Sequence, residues 1–216
     1  MPWLPVVGLL LGAILVAIDA LAHQLTASTL LPSVLVVVAL LALTGGLHAD
    51  GLMDTCDAVF GHASPERRLE IMRDPRVGSF GVIGLVCIVA LKVAALDALP
   101  AGPLRPMLLL LGPSLGRWCI VLSATVYPYG RPGGSGEPLK AGATPRALAI
   151  AALLPLLLCA LAGPVGLLCG ALAAIATLAL GRWLMRLLPG LTGDCYGALC
   201  EVAETVVWLS AALATR

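Results

Sequence analysis

Apolar residues run in long stretches along this chain, and polar residues gather in the gaps between them. Seven stretches, roughly 4–22, 30–47, 80–99, 104–126, 147–162, 164–181 and 197–213, are rich in Leu, Ala, Val and Ile. A transmembrane helix needs about 20 mostly apolar residues. The pattern therefore predicts an all-α, polytopic integral membrane protein with about seven transmembrane helices and one membrane domain over 1–216. The polar gaps at 48–79, 127–146 and 182–196 leave room for short interfacial helices. One of these starts at Ser64, a good N-cap, followed by Pro65 and Glu66 in the first turn. It should run to about Arg73 and stop before Asp74-Pro75. Leu69, Ile71 and Met72 would rest on the membrane, with Arg67 and Arg68 toward water or phosphate.

Composition strengthens the membrane assignment. Hydrophobic residues make up 60% of the chain and charged ones 12%, with a mean hydropathy of +1.02, whereas soluble domains carry about 25% charged residues. The first stretch lacks a basic leader and is long for a removable signal peptide. Positive residues mark cytoplasmic loops. Nine of the thirteen lie in the three polar gaps, against Arg105 and Arg216 on the other side, while Lys92 and Arg117 lie within helices. This places the three gaps in the cytoplasm and the chain in a bacterial cytoplasmic membrane. Lys92 and Asp97, nearer the outer face, read as structural or snorkelling residues. The seven cysteines lie mostly in apolar runs and include no Cys-x-x-Cys pair, so they read as small buried hydrophobes. A net charge of +1 and the lack of a basic, aromatic-rich patch give no reason to expect nucleic acid.

Residues 48–57, HADGLMDTCD, stand out against this background. On a helix, Asp50, Asp54 and Asp57 fall within ~60° of one another, on one face. Three like charges on one stripe repel, and no Lys or Arg is interleaved before Arg67. A divalent cation reverses the sign of that interaction, because hard carboxylate oxygens suit Mg²⁺ or Ca²⁺. Mg²⁺ is favoured because no twelve-residue calcium loop with a closing Glu is present. Arg73-Asp74-Pro75-Arg76, followed by Gly78 and Gly81, can bind phosphate oxygens and add a fourth metal ligand, or can serve as a basic membrane anchor.

Two further polar clusters belong to the same side: Arg117 with YPYGRPGGSG, which contains Arg131, and GDCYGALCEVAE, with Asp194, Glu201 and Glu204. A helix N-terminus alone accounts for Asp194, whereas acids preceding a fully apolar run, as Glu201 and Glu204 do, suggest function. No Walker loop, dinucleotide fingerprint, H-E-x-x-H or G-x-S-x-G occurs. Metal-bound diphosphate attacked by a hydroxyl fits this inventory: acids for the metal, arginines for phosphate, and His48 or an Asp for the proton.

The motifs TGGLHADGLMDTCDAVFG and RRLEIMRDPRVGSFGVIGLV closely resemble the signature of the cobalamin synthase (adenosylcobinamide-GDP ribazoletransferase) family. GRW, YPYGRPGGSG and GDCYGALCEVAE extend the resemblance over essentially the whole chain. It implies transfer of the adenosylcobinamide phosphate group from adenosylcobinamide-GDP to α-ribazole or its 5′-phosphate. The products would be adenosylcobalamin or its phosphate, and GMP, with Mg²⁺ as cofactor. Asp50, Asp54, Asp57 and Asp74 occupy the family's acidic positions and are the expected metal ligands. Arg73, Arg76, Arg117, Arg131, Asp194, Glu201 and Glu204 are expected to bind substrate, and Asp57 or His48 to accept the ribose hydroxyl proton.

Three departures stand out: Ala58 where the family has Gly, Pro75 where it has Ser, and a later start, since members carry a segment before the P-x-x-G matched by Pro5–Gly8. The competing readings are a CDP-alcohol phosphotransferase, whose D-G-x-x-A-R is not present here, and a cation- or proton-coupled transporter, which would place acids near the bilayer midplane. The chain is expected to contact lipid, and a homo-oligomer is compatible with the sequence.

Overall fold

The computed structural model describes residues 1–61, 63–100 and 102–215, and contains ten helices and no named strand among them. Arg216, counted above on the outer side, lies outside the described residues. In chain order the helices are α1 (Leu4–Leu25), α2 (Leu30–Leu43), α3 (Leu47–Phe60), α4 (Pro65–Ile71) and α5 (Ser79–Asp97), then α6 (Leu104–Val126), α7 (Glu137–Ala141), α8 (Pro145–Leu161), α9 (Gly163–Leu184) and α10 (Gly193–Ala214). Each of the seven apolar stretches is helical. Five helices (α1, α5, α6, α9 and α10) are long and apolar enough to cross a membrane, or six spans if α2 and α3 count as one broken span. The difference from seven lies in α8, a 17-residue apolar helix, and in α2, which ends earlier than the apolar run. Gly45 and Gly46 adopt φ of 60° and 72°, and α3 leaves at 88° to α2. Two consecutive left-handed residues are open to Gly at little steric cost, so Thr44-Gly45-Gly46 works as an elbow inside what the hydropathy reads as one span.

Helices α6 and α10 form the centre. Sixteen of the 23 residues of α6 are buried, against six of 22 in α1. The outer helices turn Leu10, Ile14, Val86, Leu153, Leu157 and Ile175 outward, as a lipid-facing surface requires. Without a hydrophobic drive between helices in lipid, close backbone approach matters. Gly12 supplies it on α1, where a Cβ would lie 2.6 Å from the Leu109 carbonyl oxygen of α6. Gly112 does so for Trp208, whose indole N–H donates to Leu108 O at 3.0 Å.

At one end of the bundle, buried Arg105 holds Asp19 through two hydrogen bonds of 2.9 and 2.7 Å, and also donates to Leu96 O and Ser33. The three polar gaps converge at the other end. Residues 128–130 pair with Leu191: Gly130 N donates to Leu191 O and Leu191 N to Pro128 O, both at 2.9 Å. Lys140 closes the C-terminus of α6 by donating to Ala124 O and Tyr127 O at 2.8 Å each.

The Ser64 cap is present, its side chain accepting from Arg67 N, and α4 ends before Asp74-Pro75. Its apolar side does not rest on the membrane, however. Met72 is 3% exposed and packs with Leu188, Leu191 and Tyr196, while Leu69 and Ile71 flank that cluster. Arg68 donates to Leu187 O rather than facing phosphate. Cys87 is exposed, whereas the other six cysteines are buried. Lys92 does not snorkel; it lies in the interior, paired with Glu201 and Glu204.

Candidate active site

Helix α3 lies against the first turns of α10, and two glycines allow it. A Cβ on Gly51 would meet the Asp194 carbonyl oxygen at 2.7 Å, and one on Gly197 would meet His48 O at 3.1 Å. Asp50 is exposed on α3, while Asp54 and Asp57 are half-buried. Asp194 joins them from α10, where Thr192 caps the helix by accepting from Cys195 N. The charge of Asp54 is opposed by those of Asp50, Asp194 and Asp57 and relieved by Arg131. Arg131 itself reaches Asp194 at 3.1 Å. The structure thus brings together Asp50, Asp54, Asp57, Asp194 and Arg131. Asp194 was read from the sequence as a substrate residue, and its place at a helix start gave no sign of membership in the acid group.

Asp57 has a second set of partners. Its oxygens accept from Gly78 N and Gly81 N, both at 2.8 Å, so it caps α5 from 21 residues away. Gly81 leaves it room, since a Cβ there would lie 2.6 Å from an Asp57 oxygen. Gly78 and Gly81, placed by the sequence beside a phosphate-binding segment, are the donors that fix Asp57. Replacing Asp57 with Asn turns an N–H group toward one of these two donors and should destabilise the protein by about 1–2 kcal/mol. Thermal unfolding in detergent checks this, with a lower midpoint expected.

Arg76 folds back on Asp74 through hydrogen bonds of 2.9 Å from Nε and 2.5 Å from Nη2. These hydrogen bonds push the Asp74 carboxyl down to about 2. The clasp's contribution is therefore complete above about pH 4, the ordinary carboxylate value, and is lost as pH falls through about 2. The hydrogen bonds of the Asp74 side chain go to Arg76, and none joins it to the α3 acids among the described residues. Arg73 is exposed.

Deeper in the bundle, Arg117, Glu201 and Glu204 are each no more than 3% exposed. Lys92 donates to Glu201 at 2.6 Å and to Glu204 at 2.5 Å, Arg117 donates to Glu204, and Arg117 Nη2 lies 3.3 Å from His48 Nδ1. Sequence reasoning missed Lys92 as a partner here; its one signal was a lysine inside an otherwise apolar run. A cavity of about 140 Å³ opens between α3, α10 and the 135–139 segment, lined by His48, Asp50, Ser135, Asp194 and Tyr196 among others. Asp50 also borders an apolar groove at the α2–α3 elbow with Leu41, Met53 and Leu85.

Among the described residues no three His, Cys, Asp or Glu side chains converge closely enough to hold an ion. The donor chemistry nevertheless fits a hard divalent cation: carboxylate oxygens on two rigid helices, with more negative charge than Arg131 can offset. Rotation of side chains about fixed backbones is what convergence would require.

Comparisons with known proteins agree on one family. The family described as cobalamin-5-phosphate synthase matches residues 1–212. A Roseiflexus protein named adenosylcobinamide-GDP ribazoletransferase is 43% identical over 205 residues, covering 94% of this chain and 75% of that protein. Proteins of the same name from Synechococcus elongatus and Desulforamulus reducens are 41% and 42% identical, covering 96% and 94% of this chain and 84% and 81% of their own lengths. No solved structure matches the chain.

Proposed function

This chain belongs to the cobalamin-5-phosphate synthase family, and from that premise we propose that it transfers the phosphate-linked adenosylcobinamide group of adenosylcobinamide-GDP to α-ribazole or its 5′-phosphate, releasing GMP. The observation that carries the reading is that Asp50 and Asp194 line one cavity at the end of the bundle where the polar loops meet, with Asp54 and Asp57 on the same helix as Asp50 and Arg131 paired with Asp194. Asp50, Asp54, Asp57 and Asp194 would hold Mg²⁺, one ion or two, which would supply charge neutralisation to the diphosphate. Arg131, paired with Asp194, would offset charge on the departing GMP. The fixed helices α3 and α10 hold the acids in place, and Asp57 anchors α3 to α5 so that the acid face keeps its orientation. The basic-residue bias supports a cytoplasmic position for this end, where soluble substrates would reach it.

The test uses purified protein in detergent with adenosylcobinamide-GDP and Mg²⁺, with and without α-ribazole 5′-phosphate. Cobamide should form only when the acceptor is present and should stop on chelation of the metal. Failure of well-folded protein to form cobamide would refute the transfer, and turnover unchanged by chelation would refute the metal role.

A further inference from the structure

A chain of buried charges ends on His48. Lys92 Nζ joins Glu201 and Glu204, the second Glu204 oxygen accepts from Arg117, and Arg117 Nη2 faces His48 Nδ1 at 3.3 Å. A guanidinium has only donors. Nδ1 of His48 therefore accepts, and the ring carries its single proton on Nε2. No other hydrogen bond engages this ring among the described residues, and His48 lines the cavity beside Asp50 and Asp194.

We propose that His48 is a hydrogen-bond donor, presenting Nε2–H to a phosphoryl oxygen of the bound diphosphate, and that Lys92, Glu204 and Arg117 are positioning residues that hold it in this tautomer. The inference rests on the transferase reading above. It removes His48 from the two candidates for proton acceptor, because Nε2 already bears a hydrogen and Nδ1 is taken by Arg117. In the transfer, the ribose hydroxyl oxygen bonds to the cobinamide-side phosphorus, and the bond from that phosphorus to the bridging oxygen breaks. GMP leaves with the electron pair, and the hydroxyl proton passes to a carboxylate of the acid group. His48 neither gains nor loses a proton.

Two measurements test this. The first is magnetic resonance of isotope-labelled histidine ring nitrogens in His23→Gln/His62→Gln protein, where His48 alone is seen. The expected spectrum has an unprotonated Nδ1 and a protonated Nε2, and Arg117→Met should mix the tautomers. A protonated Nδ1 in the parent protein overturns the proposal. The second is kinetic. The amide of His48→Gln can donate from near the Nε2 position but cannot take up a proton. His48→Gln should keep kcat within about 10-fold, whereas His48→Ala should lose on the order of 10²-fold at little-changed KM for α-ribazole 5′-phosphate. Equal losses in the two variants would overturn the donor role. Unmutated protein that forms no cobamide would instead refute the transferase reading, with the spectrum still deciding the tautomer.

Discussion

Asp54→Asn should lower kcat by about 10³-fold or more without lowering the stability of the metal-free protein. Asp54 sits in the middle of the α3 acid face, where Asp50, Asp194 and Asp57 all oppose its charge and Arg131 alone relieves it. Removing a charge that its neighbours repel relaxes the folded state, so the melting midpoint in chelator should hold or rise. The same charge is what a divalent cation would need, so the activity should be lost. This pairing of signs separates Asp54 from Asp57, whose replacement by Asn removes one of the two hydrogen bonds that cap α5 and should lower stability as well. A fall in both activity and metal-free stability for Asp54→Asn would mean that the residue is structural, and that the acid face is not where the diphosphate binds.

Lys92→Met should have the largest effect on stability, a loss of about 3–5 kcal/mol, because it leaves carboxylates buried without their cation. The ammonium is 2% exposed, sits between Glu201 and Glu204, and lies 5.5 Å from the ring centre of Trp208. Its removal leaves Arg117 to balance two acids. The double variant Lys92→Met/Glu201→Gln restores the count, one cation to one carboxylate through the Arg117–Glu204 pair, and should recover part of the loss. Thermal unfolding of the single and double variants in one detergent makes the comparison. A double variant no more stable than Lys92→Met would show that the cost comes from lost packing around the lysine stem rather than from stranded charge.

What could be read from the sequence was what is local. The Ser64-Pro65-Glu66 cap, the stop before Asp74-Pro75 and the one-sided acid stripe each lie within a few helical turns, where spacing fixes geometry. The elbow at Gly45-Gly46 was hidden because hydropathy continues across it, although two adjacent glycines after Thr44 were a visible warning. The partners of Lys92 lie 109 and 112 residues away, and no periodicity reports a contact of that separation. Asp57 was legible as an acid of the stripe, but not as the cap of α5, because Gly78 and Gly81 acquire that meaning only once α3 and α5 pack together. Met72 misled for a related reason: its spacing is that of a membrane-facing residue, and only the tertiary fold places Leu188, Leu191 and Tyr196 over it.

In the proposed transfer the ribose hydroxyl, and not water, takes the phosphoryl group from GMP. Running the reaction in heavy-oxygen water and weighing both products tests this most directly. Direct transfer predicts GMP and cobamide in equal amounts, neither carrying oxygen from the solvent. Solvent oxygen in the GMP, or GMP formed well in excess of cobamide, would mean that water is the nucleophile and would contradict the account.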